Sequence, residues 1–186
     1  MRWLEEQGAG YNTGVARVPI VPAAVIFDLA LGRADRRPDA AMGYQACQNA
    51  SDQPPAEGCV GAGTGATIGK LMGMGLAIKS GIGGATLRLP NGLVIGALVV
   101  VNALGDVIDP ASGQILAGAR RPPGQTGDRF VDTLEVLKAF AGQASQPAAS
   151  GNNTTIGLVA TNAELNKEQA TFVAQMAQDG LARAIR

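Results

Sequence analysis

The sequence predicts a globular fold of mixed helices and strands, and three features carry that expectation. Apolar residues make up 46% of the 186 positions and charged residues 16%, a balance that suits a packed core and argues against disorder. Aromatics are only 4%, so Ala, Val, Ile, Leu and Gly must fill the interior, and such small side chains imply close backbone approach between layers. Gly83–Leu89 and Leu93–Asn102 flank Pro90-Asn91-Gly92, and an Asn-Gly step between apolar runs favours a tight antiparallel hairpin. Apolar residues recur at helical spacing in two places: Leu134, Leu137 and Ala141, then Leu165, Phe172, Val173, Met176, Leu181 and Ile185.

Taken in order, Met1–Gln7 reads as the last turns of a helix ended by Gly8 and Gly10. Glu5 and Glu6 stand where a signal peptide would need cationic and then apolar residues. Val15–Leu31 is rich in Val, Ile and Ala, but Pro19 and Pro22 break it into short edge or entry strands. Arg33–Gly58 is polar, carries Pro38, Pro54 and Pro55, and holds one short helix over Ala40–Asn49. The glycine-dense Gly58–Lys70 feeds a helix or an extended stretch. Beyond the hairpin, Asp106–Gly113 is turn chemistry, Gln114–Ala117 a short strand, and Thr133–Ala141 a helix stopped by Gly142. Gln143–Asn153 reads as a linker of small and polar residues that opens into Thr154–Thr161, a buried-strand pattern. Thr161-Asn-Ala-Glu164 has the spacing of a capping box for the last helix. That helix stops at Leu181–Arg186 in mid-pattern, and with the helix-like start this predicts a fragment of a longer chain.

Composition excludes several functions. Fifteen Lys+Arg against fifteen Asp+Glu leave no net charge, and no basic cluster exceeds Arg36-Arg37 or Arg120-Arg121, so no nucleic-acid partner is expected. The longest apolar run, Leu93–Val101, is strand length and contains a glycine, so no membrane partner is expected and the protein reads as soluble and cytoplasmic. The chain contains no histidine, which removes Ser-His-Asp and Cys-His arrangements and the commonest zinc ligand. Cys47 and Cys59 are not a CxxC pair; two ordinary thiols and a bridge across the Asp52 loop both remain open.

The glycine-dense segment is not a phosphate loop. Thr64 stands where the Walker spacing before Gly69-Lys70 needs glycine, and Leu71 stands where Ser or Thr should hold magnesium. The dinucleotide match at Gly61, Gly63 and Ala66 lacks a preceding strand and a following acid. Lys70 therefore reads either as a solvated lysine or as a group placed by that loop. Asp106 and Asp109, among Gly105, Pro110 and Gly113, read as turn residues bonding their own backbone. Asn102, at the end of an apolar strand, either caps the turn or offers a fixed amide donor to a developing oxyanion. Asn153-Thr154 carries the sharpest chemistry. A hydroxyl residue at the head of a strand after a linker suits a self-cleaving enzyme whose freed α-amine, with an unperturbed pKa of about 7.7 to 8.0, replaces the missing imidazole.

Four ordered segments, Gly14-Val-Ala-Arg-Val-Pro-Ile-Val-Pro-Ala-Ala-Val-Ile-Phe-Asp28, Val60-Gly-Ala-Gly-Thr-Gly-Ala-Thr-Ile-Gly-Lys70, Gly96-Ala-Leu-Val-Val-Val-Asn102 and Asn153-Thr-Thr-Ile-Gly-Leu-Val-Ala-Thr-Asn162, together resemble the DmpA-type L-aminopeptidase/D-esterase family. That family includes the nylon-oligomer hydrolases and shares a layered fold with the ornithine acetyltransferases. The resemblance implies an α/β/β/α sandwich, incomplete in this chain, forming one domain over residues 1–186. Maturation would divide it into an α-piece, 1–153, and a β-piece, 154–186. By position, Thr154 is the implied nucleophile, Asn102 the oxyanion-stabilising amide and Lys70 a lysine lining the same pocket. Phe27 falls where several members place a hydrogen-bonding Tyr. An acidic Asp-Gly-Asp-like motif that orients the nucleophile in the family would lie beyond Arg186.

The resulting expectation is an N-terminal-nucleophile amidohydrolase that cleaves itself between Asn153 and Thr154 and hydrolyses small peptides, amides or esters. It needs no metal or organic cofactor and forms homo-oligomers, as the resemblance implies. An ornithine acetyltransferase-like acyl transferase and a non-catalytic fragment that never cleaves are the alternatives.

Overall fold

The computed structural model describes residues 1–141 and 153–186. Two compact units are present: Met1–Val25 with Leu29–Pro55, and Ile26–Asp28 with Ala56–Arg186.

In the first unit, helix α1 (Arg2–Glu6) ends at the expected place, with the Gly8 amide donating to the Glu5 carbonyl. Strands β1 (Tyr11–Asn12) and β2 (Arg17–Val18) form a two-residue antiparallel pair. The further strands expected up to Leu31 do not form; Pro19 and Pro22 have no N–H to offer a ladder. Helix α2 (Ala40–Gln48) starts at Asp39, whose carboxylate accepts from the Met42 amide at 2.8 Å. Tyr44 on α2 donates to the Glu6 carboxylate, and the Arg2 guanidinium lies 4.8 Å from the centre of the Tyr44 ring, so α1 and α2 are tied by one aromatic residue.

In the second unit the glycine-dense segment makes one 3₁₀ turn at Gly61–Gly63 and then extends into β3 (Thr67–Ile68), paired antiparallel with β4 (Ile78–Lys79). Gly69 follows with a φ of +70° and lies directly on the Gly118-Ala119 backbone, where a Cβ would have no room. Close backbone approach, inferred from composition, is realised here.

The predicted hairpin is β5 (Ile82–Arg88) and β6 (Val94–Val100), in register from Ile82↔Val100 to Arg88↔Val94. Its turn is a different one from the two-residue Asn-Gly type. The Gly92 amide donates to the Leu89 carbonyl at 3.0 Å and the Leu89 amide to the Leu93 carbonyl at 2.8 Å, which makes a three-residue loop. Only Gly92 has positive φ, at +86°, whereas a type I′ turn needs it at Asn91 as well; Pro90 instead takes the first corner of a type I turn.

Strands β7 (Val107–Ile108) and β8 (Ile115–Ala117) pair around the Asp109 turn, and α3 (Thr133–Ala141) follows. Gly142 and all but the last residue of the linker expected at Gln143–Asn153 lie outside the described residues. Strand β9 (Ile156–Thr161) then joins β6 antiparallel, giving a three-stranded sheet in the order β5-β6-β9. The buried character expected of β9 is not observed: Leu158, opposite Leu98, is 61% exposed. An apolar run specifies an extended strand but does not say what covers it.

Helix α4 (Lys167–Ala184) is capped by Asn166, five residues after the expected cap Thr161. Thr161 is still paired with Ile95 in the sheet and cannot act as a cap; its hydroxyl accepts from the Ala163 amide. Asn166 and Gln169 form the reciprocal capping box instead. The end of the helix also differs from the expected mid-pattern stop. Ile185 is extended and bridges to Val107, while Asp106 and Arg186 exchange backbone bonds at 2.7 and 3.0 Å. The buried apolar set is built of small residues, Ala66, Ile68, Ala77, Val100, Ala103 and Ala119 with Phe130, and lies around β3, the end of β6 and the segment after β8.

Candidate active site

Two residues beyond β6, the chain carries Asn102 into this core with no exposed surface. A buried amide must be satisfied, and its bonds define its orientation. Oδ1 accepts from the Lys70 ammonium at 2.6 Å, the Thr67 amide at 3.1 Å and the Thr67 hydroxyl at 3.4 Å. Nδ2 consequently faces the other way and donates to the Phe27 carbonyl at 3.5 Å. The main-chain carbonyl of Asn102 takes two more donors, Lys70 Nζ at 3.2 Å and the Thr154 amide at 3.0 Å.

Lys70 is brought there by its backbone. The Lys70 amide donates to the Leu104 carbonyl at 2.7 Å and the Gly69 amide to the Gly105 carbonyl at 3.0 Å, so consecutive amides strap the glycine segment onto the connection after Asn102. The side chain is buried, and loss of solvent pulls its pKa from 10.5 down to about 8. The solvated-lysine reading is thereby set aside.

The structure therefore gathers Lys70, Asn102 and the main chain of Thr154 about one carbonyl oxygen. Thr154 is half-buried at the head of β9, directly after Asn153. Phe27 reaches the group through its main-chain carbonyl, which Tyr would supply equally; the residue as a whole is 42% exposed.

Two residues of this region have roles that the sequence does not announce. Thr67 presents both its amide and its hydroxyl to Asn102, and its position three before Lys70 in the glycine segment was the available signal. Asp106 is not the turn residue it was read as. It is fully buried, and its carboxylate accepts from the Thr133 amide at 2.7 Å and the Thr133 hydroxyl at 2.8 Å, anchoring the start of α3. Burial pushes this carboxyl above its usual range. Asp109 does behave as read, accepting from the Ala111 amide and the Ser112 hydroxyl within its own turn. Both cysteines are free thiols, Cys59 donating to the Ser80 carbonyl, so no bridge closes the Asp52 loop.

Among the described residues no three of Cys, Asp and Glu come together in a way that could hold a metal ion. No described helix is long and apolar enough to cross a membrane.

Comparison with known proteins places these residues in context. The family model of Peptidase family S58 matches residues 1–186. The chain is 45% identical over 199 residues to an uncharacterized aminopeptidase of Mycobacterium leprae, covering 100% of this chain and 50% of that protein. It is 42% identical over 196 residues to an uncharacterized aminopeptidase of Mycobacterium tuberculosis, at 100% and 52% coverage. A 6-aminohexanoate-oligomer endohydrolase of Kocuria is 31% identical over 176 residues, covering 95% of this chain and 48% of its own. The chain spans about half the length of the curated relatives it matches.

Proposed function

This chain belongs to Peptidase family S58, and from that premise we propose that the protein is an N-terminal-nucleophile amidohydrolase that cuts itself between Asn153 and Thr154. The observation that carries the reading is the convergence of the Thr154 nitrogen and Lys70 on the Asn102 carbonyl, beside an Asn102 amide whose orientation is set by three donors. After scission that nitrogen is an α-amine. Neutral near pH 8, it takes the Thr154 hydroxyl proton as Oγ1 attacks a substrate carbonyl, and returns it to the leaving amine. Asn102 Nδ2 stabilises the oxyanion, a contribution of about 10² to 10³ in kcat for one such donor. Lys70 and Thr67, on Oδ1, keep that donor turned toward the reacting carbonyl. Water then releases the acyl group.

Relatives named as aminopeptidases and oligomer endohydrolases support small peptides, amides or esters bearing a free amino end as substrates. The same reading carries the α/β/β/α layer order, a homo-oligomeric and cytoplasmic enzyme, and the pieces 1–153 and 154–186. Intact mass and N-terminal sequencing test it. Two species, the shorter beginning at Thr154, are expected, with none from Thr154→Ala; cutting that survives Thr154→Ala removes Thr154 from the scheme.

A further inference from the structure

The role of Asn102 Nδ2 as oxyanion donor, on which this inference rests, requires that the donor be aimed. A carboxamide is planar, so donors on Oδ1 and an acceptor on one Nδ2 hydrogen fix the direction of the other hydrogen as well. The two ends of the Asn102 carboxamide are served by different stretches of chain. Thr67 donates to Oδ1 through its amide at 3.1 Å and its hydroxyl at 3.4 Å, and the Phe27 carbonyl accepts from Nδ2 at 3.5 Å.

Those two stretches also touch each other. Asp28, the residue after Phe27, lays its side chain on Gly65, two residues before Thr67. A Cβ at Gly65 would overlap the Cβ, Cγ and Oδ2 of Asp28. Gly65 is buried and Asp28 half-buried. Unlike Gly61 and Gly69 in the same segment, Gly65 does not have positive φ, so backbone conformation does not call for glycine there. Room for Asp28 does.

We propose that Asp28 and Gly65 form a clamp that aims the Asn102 carboxamide, which makes Asp28 a positioning residue for the reaction. Their contact closes a ring that runs from Oδ1 to Thr67, back along the chain to Gly65, across to Asp28, and through the Phe27 carbonyl to Nδ2. Bonds beside the ring hold its glycine side: the Ala66 amide donates to the Gly63 carbonyl at 3.2 Å, and the Ser80 amide to the Ala66 carbonyl at 2.9 Å. On the other side, the Phe27 carbonyl and the Asp28 Cα share one rigid peptide plane, so whatever displaces Asp28 carries that oxygen with it. The Phe27 bond is the longest of the three, and a further displacement of a few tenths of an ångström ends it.

The test measures kcat and KM for L-alanine p-nitroanilide in the full-length protein carrying Gly65→Ala, Asp28→Gly or Asn102→Ala, and with each of the first two combined with the third. Gly65→Ala overfills the contact and Asp28→Gly empties it. Each should lower kcat by about 10- to 100-fold and leave KM within about twofold, because the donor is aimed at the transition state. On the Asn102→Ala background neither should cost more than about twofold, since no carboxamide is left to aim. Should Gly65→Ala not fold, Asp28→Gly, which adds no atoms, decides alone. Unchanged kcat in both variants, or an equal loss on both backgrounds, overturns the clamp. Unchanged kcat in Asn102→Ala overturns the oxyanion reading instead.

A second readout needs no substrate. The Asn102 side-chain amide signals in a proton–nitrogen correlation spectrum, identified by their loss in Asn102→Ala, should shift and exchange with solvent at least about tenfold faster in both variants. Signals unmoved by either variant overturn the clamp. Moved signals in a protein that releases no nitroaniline support the clamp and overturn the amidohydrolase reading alone.

Discussion

Replacing Lys70 by Met should change how the stability of the chain depends on pH, and the sign follows from burial. Lys70 titrates at 10.5 when unfolded and at about 8 when folded. Between those values the unfolded chain binds more protons than the folded one, so stability rises with pH across that window. Below it, both states carry the charge and the folded one bears the full cost of holding it out of water. At about 1.4 kcal/mol per unit, the wild-type chain should gain about 3 kcal/mol on the methionine chain between pH 7 and pH 10.5. Urea denaturation of both chains at several pH values measures this. With a slope on the order of 2 kcal/mol per molar urea, the gap between their midpoints should move by roughly 1.5 M. Taking the difference cancels groups common to both chains, such as Tyr44. A gap that stays constant from pH 7 to 10.5 would show that the fold does not desolvate the ammonium.

Other substitutions probe the frame around the site. Asp106→Ala leaves the Thr133 amide and hydroxyl facing a cavity and should cost about 2 to 6 kcal/mol by chemical denaturation, at roughly 1 to 3 per stranded buried group. Asp106→Asn keeps an acceptor for the amide and removes a buried charge. Because burial raises this carboxyl, its stabilising share is complete below pH 3.8 and is lost as pH rises through the folded value, so the asparagine chain should match or exceed wild type at pH 7. Gly69→Ala and Gly92→Ala separate strain from crowding. Both have positive φ, but a Cβ at Gly92 meets nothing within 4 Å, so Gly92→Ala should cost about 1 to 2 kcal/mol. At Gly69 the new Cβ runs into the Ala119 backbone, and the thermal midpoint should fall further, by an amount above about 3 kcal/mol in stability terms.

The elements most legible in the sequence were those specified by local chemistry. Gly8 ends α1, the Asp39 carboxylate starts α2 beside Ala40, and Pro90-Asn91-Gly92 joins two apolar runs, all within a few residues of the feature that encodes them. Errors arose where a distant partner decides. Thr161 has the spacing of a cap but is held by Ile95, 66 positions away, so the helix waits until Asn166. Asp106 has the composition of a turn around it, yet its partner Thr133 is 27 residues on, and no local pattern announces such a bond. Leu158 reads as buried because apolar residues usually are, but cover is a property of neighbouring layers. The candidate residues stood out for a different reason: Lys70 and Asn102 each have a side chain at odds with a glycine-rich or apolar setting, and Thr154 is a hydroxyl residue heading a strand after a polar linker. What stayed hidden was that they meet at the backbone oxygen of Asn102, because side-chain identity carries no record of main-chain acceptors.

That use of backbone bears on how the proposed acyl chemistry would be organised within this stretch of chain, which contains no histidine. A His-based site needs a third group to orient the ring, whereas here one buried asparagine orients three things at once. Its carbonyl positions the nitrogen of Thr154, its Oδ1 gathers Lys70 and Thr67, and the bonds to Oδ1 determine where Nδ2 points. Such economy requires that Asn102 itself not move. The restraints come from the main chain on both sides: Val101 donates to the Gly81 carbonyl before it, and the carbonyls of Leu104 and Gly105 receive the amides of Lys70 and Gly69 after it. Gly69, which supplies one of those bonds, also packs directly on the Gly118-Ala119 backbone with a φ of +70°, a place no other residue could take without strain. The glycine segment that resembled a phosphate loop thus carries the Lys70 amine to the Asn102 carbonyl, where both side chains are buried.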